Sequence, residues 1–391
     1  MSTISFDNTQ IAFASKSNAD LNRSYMLFTF VSRTSWVKFG RAMTNIALGM
    51  HLPIKGIIKA TIFKQFCGGE NITDCASTIN ALGEYHIGTI LDYSVEGKES
   101  ETEFDKTAKE TLDTLIRAAK DTNIPFCVFK VTGMARFSLL EKVTANATLS
   151  TAEESEWNRV KSRVLNICKH AAEVGVPIFI DAEETWIQIA IDNLAIEMMQ
   201  QFNRQKAIVY NTLQLYRKDR LAFLKTSHAH AKQYGYYLGL KLVRGAYMEK
   251  ERDRATSNKY PDPIHNTKEN SDADYNAALD YCVENIKDIA ICAGTHNEKS
   301  SLHLVQLMEK NSIFTNDKRI YFSQLLGMSD HISYNLAQKG YNVAKYVPYG
   351  PVREVLPYLI RRAEENTSVK GQTGRELSLI IKEKQRRKNN D

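Results

Sequence analysis

Cysteine is scarce in this chain, and it is scattered. The six residues Cys67, Cys75, Cys127, Cys168, Cys282 and Cys292 include no Cys-x-x-Cys pair, so neither a zinc ribbon nor a dithiol redox motif is written here. His228 and His230 fall in a helical stretch, where residues two apart point to different faces. No metal is therefore expected, and the cysteines read as reduced thiols in a cytosol-like compartment. Long apolar runs are missing as well, and none approaches the roughly 18 residues of a membrane span. The opening stretch MSTISFDNTQIAFASKSNAD has no signal-peptide core and is short of the arginines of a transit peptide. Any membrane contact is expected to be peripheral. Three phosphate and nucleophile signatures are also absent: G-x-G-x-x-G, the Walker A sequence and the G-x-S-x-G elbow. Their absence argues against a dinucleotide-binding sheet, a P-loop enzyme and a serine hydrolase. Asp-Ala-Glu-Glu at 181–184 could mimic a glycosidase dyad, but no carboxylate pair stands out.

What is present is an ordinary globular composition, 43% apolar and 25% charged over 391 residues. The net charge of +6 is mild. Much of it could come from the end, KEKQRRKNND, expected to be a frayed solubilising tail. Residues 1–80 read as a helical arm. From there, short β-branched and aromatic runs alternate with amphipathic stretches. Strands are expected at 88–94, 125–132, 176–183, 207–214, 237–245, 289–297, 320–327 and 342–350. Eight βα units are the count of a TIM barrel. The expected organisation is an N-terminal helical arm over 1–80, packed on a (βα)8 barrel over 81–370, and a basic tail over 371–391.

In such a barrel the chemistry sits at the C-terminal ends of the strands. These ends carry Asp92 and Tyr93, Lys130, Asp181 with Glu183 and Glu184, Gln214, Lys241 and Arg244, Thr295-His296-Asn297, and Tyr346. Cations and amides are plentiful, but no nucleophile has an evident base. The helix after the last strand opens on Gly350-Pro351. Val352, Val355, Leu356, Leu359, Ile360 and Ala363 form one apolar stripe, with Tyr358, Arg361, Arg362 and Glu365 opposite. The second face is either a solvated surface or a forked cationic clamp for a carboxylate, and spacing leaves both open. Pro357 should bend this helix.

The stretches FIDAEE (179–184), VYNTLQLY (209–216), KLVRGAYMEKER (241–252), AGTHN (293–297), LLGM (325–328) and YLIRRAEEN (358–366) resemble the signatures of the FAD-dependent proline dehydrogenase family. They occur in the family's order over about residues 85–370. The resemblance implies a distorted (βα)8 barrel whose last helix covers the barrel mouth. It implies that Arg361 and Arg362 anchor the proline carboxylate with Lys130 as a third cation, and that Glu365 and Asp181 position these cations or close the site. It implies that Ala246, Tyr247, Leu325, Tyr346 and Tyr358 surround the pyrrolidine ring. On the flavin side it assigns Gln214 to the pyrimidine ring, Lys241 to the neighbourhood of N5, and Arg244 as a second cation. Gly245, Ala246 and Leu325 also line the FAD site in this reading, and Thr295, His296 and Asn297 bind the ribityl and pyrophosphate part. Some members read Arg-Leu-Val-Lys where this chain has Lys241-Leu242-Val243-Arg244, which keeps charge but not geometry.

The implied reaction is oxidation of L-proline to Δ1-pyrroline-5-carboxylate, with hydride passing to flavin N5 and electrons to a membrane quinone. A bulky Tyr346 should disfavour hydroxyproline. The aldehyde dehydrogenase region of bifunctional relatives has no counterpart here, nor is there a nucleic-acid-binding module. The implied location is cytoplasmic, or peripheral on the inner membrane, on the matrix side in a eukaryote. Other readings are a hydroxyproline dehydrogenase, a Schiff-base aldolase on Lys130 or Lys241, and a non-catalytic amino-acid-binding barrel.

Overall fold

The computed structural model describes residues 4–31, 55–94, 99–368 and 372–389, with only the backbone described for 31, 55, 57, 362–368 and 372–373. The strands β1 (Ile87–Tyr93), β2 (Phe126–Lys130), β3 (Ile178–Asp181), β4 (Val209–Gln214), β5 (Leu238–Val243), β6 (Ile289–Gly294), β7 (Ile320–Leu325) and β8 (Val343–Tyr349) form a closed barrel in sequential order. Pairing is parallel from β1–β2 through β6–β7. This is a (βα)8 TIM barrel. The strands are shorter than the apolar patterning predicts, mostly at their C-terminal ends. There the chain leaves the ladder early, as at the 3-10 turn Val131–Gly133 and at Gly245, whose φ is 138°.

Before the barrel lie helices α1 (Thr9–Ala12), α2 (Asn18–Val31), α3 (Lys55–Ile58), a π-helical turn Lys59–Phe63, α4 (Lys64–Phe66) and α5 (Ala76–Gly83). Residues 32–54 of the expected arm fall outside the described residues. Between the strands lie α6 (Glu101–Ala118), α7 (Phe137–Thr144), α8 (Thr151–Val174), α9 (Thr185–Phe202), α10 (Arg220–Tyr234), α11 (Met248–Asn258), α12 (Lys268–Glu284), α13 (Glu298–Lys310) and α14 (Asp330–Gln338). Then come α15 (Val352–Ser368) and α16 (Gln372–Lys388). Capping explains sharp starts: α6 and α8 open on reciprocal Ser100/Glu103 and Ser150/Glu153 boxes.

The chain forms two compact units, one of residues 90–93 and 97–323, the other of residues 1–89, 94–96 and 324–391. In the first, an aromatic plug fills the N-terminal end of the strand bundle. Phe126 and Phe179 stack at 4.5 Å, and Tyr210 and Tyr321 meet them edge-on at 4.8–5.5 Å. Side chains alternate with period two along a strand. The same inward face that carries the plug therefore carries Lys130, Asp181 and Gln214 at the other end of their strands.

In the second unit, α15 buries Val352, Val355 and Leu359 against Phe63, Phe66, Cys67 and Met328. Tyr358 joins the same cluster and is 4% exposed. The expected division into an apolar stripe and an opposing polar face is thus corrected: Tyr358 is core, because the π turn and α4 cover that flank. Helix α15 runs through Pro357. The expected frayed tail is likewise corrected. Helix α16 buries Leu379 and Ile380 with Ala12, Phe13, Leu21 and Phe28. Its cations bind the N-terminal segment, with Arg375 on Asp7 at 2.7 Å and Arg387 on the carbonyls of Phe13 and Lys16 at 3.0 and 2.8 Å.

Candidate active site

Lys130 and Asp181 are register partners at the ends of β2 and β3. Two strands further on, the Lys241 ammonium pairs with Asp181 Oδ1 and lies 5.4 Å above the Phe179 ring. The plug closes this pair off from below, and only 6% and 14% of the two side chains is exposed. Gln214 ends β4 and is 3% exposed. Its Oε1 is buried and accepts no hydrogen bond.

Arg244 follows β5, and its guanidinium is fully engaged. Nε donates to Asp272, Nη1 to Thr295 Oγ1 at 2.7 Å and Nη2 to Ser300 Oγ at 2.9 Å, while the plane lies 4.4 Å over Tyr275. Arg244 and Thr295 are thus joined as one polar tie between two strand ends. Asn297 caps α13, accepting from Lys299 and Ser300 amides at 2.9 and 3.2 Å, so its side-chain oxygen already has donors. His296 is half-buried beside it. Gly245 has no room for a side chain, since a Cβ there would sit 2.4 Å from the Tyr216 ring. Ala246 is half-buried and Tyr247, at the head of α11, is buried.

A second carboxylate layer adjoins Lys130. Glu183 accepts from Thr132 through both N–H and hydroxyl. Burial pushes its carboxyl up to about 7, against the pull of Thr132 and the Lys130 ammonium. Its own amide donates to Gln188, which donates to Asp192, which in turn receives Asn211 at 2.9 Å and Arg220 at 2.7 Å. Glu251 is fully buried and accepts from the Thr185 amide and hydroxyl at 2.7 and 2.6 Å. Sequence reasoning did not single out Glu251, Asp192, Asp272 or Ser300. They lie within helices, where one polar residue carries no mark of the strand end it supports.

In the other unit, Leu325 is half-buried against the α15 cluster. Tyr346 on β8 is buried. Arg361 is half-buried, its guanidinium 5.8 Å from the Tyr358 ring centre. The side chains of Arg362 and Glu365 lie outside the described residues. His228 and His230 have separate partners, Tyr281 and Tyr236.

A family model described as Proline dehydrogenase matches residues 75–375. The chain belongs to the proline dehydrogenase family. Membership makes it an oxidoreductase and implies the oxidation of proline. Three relatives extend the likeness. The carbapenem antibiotics biosynthesis protein CarD of Pectobacterium carotovorum subsp. carotovorum is 38% identical, over 85% of this chain and 86% of its own. The mitochondrial proline dehydrogenase 1 of Dictyostelium discoideum is 32% identical, over 97% and 74%. The hydroxyproline dehydrogenase of Xenopus laevis is 31% identical, over 96% and 88%. Among solved structures, proline utilization A from Bdellovibrio bacteriovorus shares the fold, with a TM-score of 0.73 at 22% identity. That likeness covers 92% of this chain but 38% of that one.

Proposed function

We propose that this proline dehydrogenase family member uses FAD to oxidise L-proline to Δ1-pyrroline-5-carboxylate and passes the electrons to a membrane quinone. The observation that carries the flavin reading is the dry, unpartnered Oε1 of Gln214. An unpaired buried polar group costs about 1–3 kcal/mol, so this acceptor fits a place where a bound heterocycle brings an N–H. Gly245 fits as well, because bare backbone there allows close approach.

When bound, FAD would supply the hydride acceptor for the ring carbon beside proline nitrogen, which accounts for a site rich in cations and poor in nucleophiles. The chain's part is to bind and orient. Gln214, Lys241, Arg244, Gly245, Ala246, Thr295, His296 and Asn297 would hold the cofactor. Asp181 fixes the Lys241 ammonium, keeping one positive charge in a stationary place. Arg361, Arg362 and Lys130 would take the proline carboxylate, with Glu365 and Asp181 positioning the cations. Tyr247, Leu325, Tyr346 and Tyr358 would enclose the ring and exclude water. A Schiff-base role for Lys241 agrees poorly with its engagement by Asp181. The proposed location is cytoplasmic and peripheral on the inner membrane, on the matrix side for a eukaryotic source. Among the described residues no helix is long and apolar enough to cross a membrane.

The test is anaerobic mixing of purified protein with L-proline. The flavin's visible band should bleach, and persistence of the oxidised spectrum would overturn the reading. Gln214→Leu should weaken flavin retention about tenfold, the loss of one neutral hydrogen bond, measured as flavin remaining after gel filtration.

The likeness to a hydroxyproline dehydrogenase makes hydroxyproline the second substrate reading. The reading of Tyr346 as a ring-packing residue weighs against it, because a phenol there would crowd a further hydroxyl. Tyr346→Ser should raise the hydroxyproline-to-proline ratio of kcat/KM about tenfold or more. An unchanged ratio in steady-state assays would remove Tyr346 as the discriminating residue.

A further inference from the structure

The turn after β7, residues 325–329, is gripped from several sides. Lys345, fully buried in β8, donates to Met328 O at 2.6 Å and Leu325 O at 3.3 Å, with Asp330 holding the same ammonium at 2.6 Å. Gln65 of α4 donates to Gly327 O at 2.9 Å and is itself oriented by Ser24 of α2 at 3.0 Å. Leu326 N donates to Tyr346 O at 2.8 Å. Glu376 of α16, 3% exposed, accepts the Ser329 amide.

The backbone needs this grip. Ser329 is a non-glycine residue at φ 51°, a conformation that persists only where the surroundings over-determine it. Asp330 is further tied by Lys16 at 3.3 Å. Two of the gripping groups, Gln65 and Glu376, come from helices outside the βα repeats.

We propose that Glu376 is a positioning residue: by holding the Ser329 amide, the C-terminal helix fixes the turn that presents Leu325 to the substrate ring. The inference rests on the reading of Leu325 as a ring-packing residue. A buried carboxyl oxygen that accepts a backbone amide satisfies a donor that water does not reach. Its removal takes this acceptor away from the Ser329 amide, and the strained turn loses one of its holds. A small displacement of a substrate-packing group is enough to degrade the productive pose.

The experiment uses the full-length flavoprotein and steady-state kinetics with L-proline. Glu376→Ala should raise KM about tenfold with kcat within about threefold, because ring packing rather than chemistry is disturbed. Glu376→Gln keeps an acceptor for Ser329 N and should restore KM to within about twofold of the parent. The effects of Glu376→Ala and Leu325→Ala should not multiply, because both act through the same contact. Should Glu376→Ala fail to fold by circular dichroism, Glu376→Asp, one methylene too short to reach, makes the same comparison.

An unchanged KM in Glu376→Ala, full multiplication with Leu325→Ala, or an unchanged KM in Leu325→Ala would each overturn the proposal. The underlying reading has its own control, since a parent enzyme that fails to oxidise proline refutes it before any variant is made.

Discussion

With Arg361 and Arg362 both changed to methionine, the enzyme should lose about a thousandfold in kcat/KM for L-proline. Truncating one side of a desolvated, hydrogen-bonded charge pair costs about 2–5 kcal/mol. Two such losses at the low end give about 4 kcal/mol, and each 1.4 kcal/mol is about tenfold. Methionine keeps much of the side-chain volume, so the packing of α15 should survive. Its fold depends on Val352, Val355, Tyr358 and Leu359, which are untouched. Thermal unfolding and flavin content should stay near those of the parent. A loss below tenfold, measured by steady-state turnover with an artificial acceptor, would mean that the adjacent arginines are a solvated face and that the carboxylate binds elsewhere.

The second large effect concerns stability. Asp181→Ala removes the carboxylate that pairs with the Lys241 ammonium, 6% exposed, above an aromatic floor. Breaking a buried pair from one side costs about 3–5 kcal/mol, whereas replacing both members by apolar groups is often neutral. Asp181→Ala should therefore lower the unfolding free energy by about 3 kcal/mol, and Lys241→Met added to it should restore most of that loss. Urea titration followed by far-ultraviolet circular dichroism measures both. A single variant as stable as the parent, or a double variant no better than the single, would show that the ammonium is held without Asp181, by other groups or by water. The double variant should remain inactive, because the fixed charge proposed for the flavin is gone.

Much of the barrel was legible in the sequence because strands buried on both faces are written as short apolar runs. Ile178-Phe179-Ile180 and Leu238 to Val243 are such runs, and each falls where patterning puts it. Strand ends were overextended because Thr132, Arg244 and Thr295 are compatible with strand by composition. What takes them out is tertiary: Thr132 turns to serve Glu183, and Arg244 reaches Asp272, Thr295 and Ser300. Those partners lie 28 to 56 residues downstream, beyond any local pattern.

The paired arginines show the opposite limit. Periodicity grouped them with Tyr358 on one side of α15, but a helix face has no direction until something covers it. The tail misled for a compositional reason. Its cations drew attention away from Leu377, Leu379, Ile380 and the buried Glu376.

Helix α16 has a consequence for how the molecule opens. Chain ends ordinarily fray first, each on its own, at almost no free-energy cost. Here Arg387 is bonded to the backbone of Phe13 and Lys16, and Leu379 and Ile380 share one cluster with Phe13 and Leu21. Neither α16 nor the segment around Phe13 and Lys16 can peel away without breaking the other's contacts. The first and last helices therefore exchange their amides as one cooperative unit. Protease nicking of either should come only at the rate at which both let go.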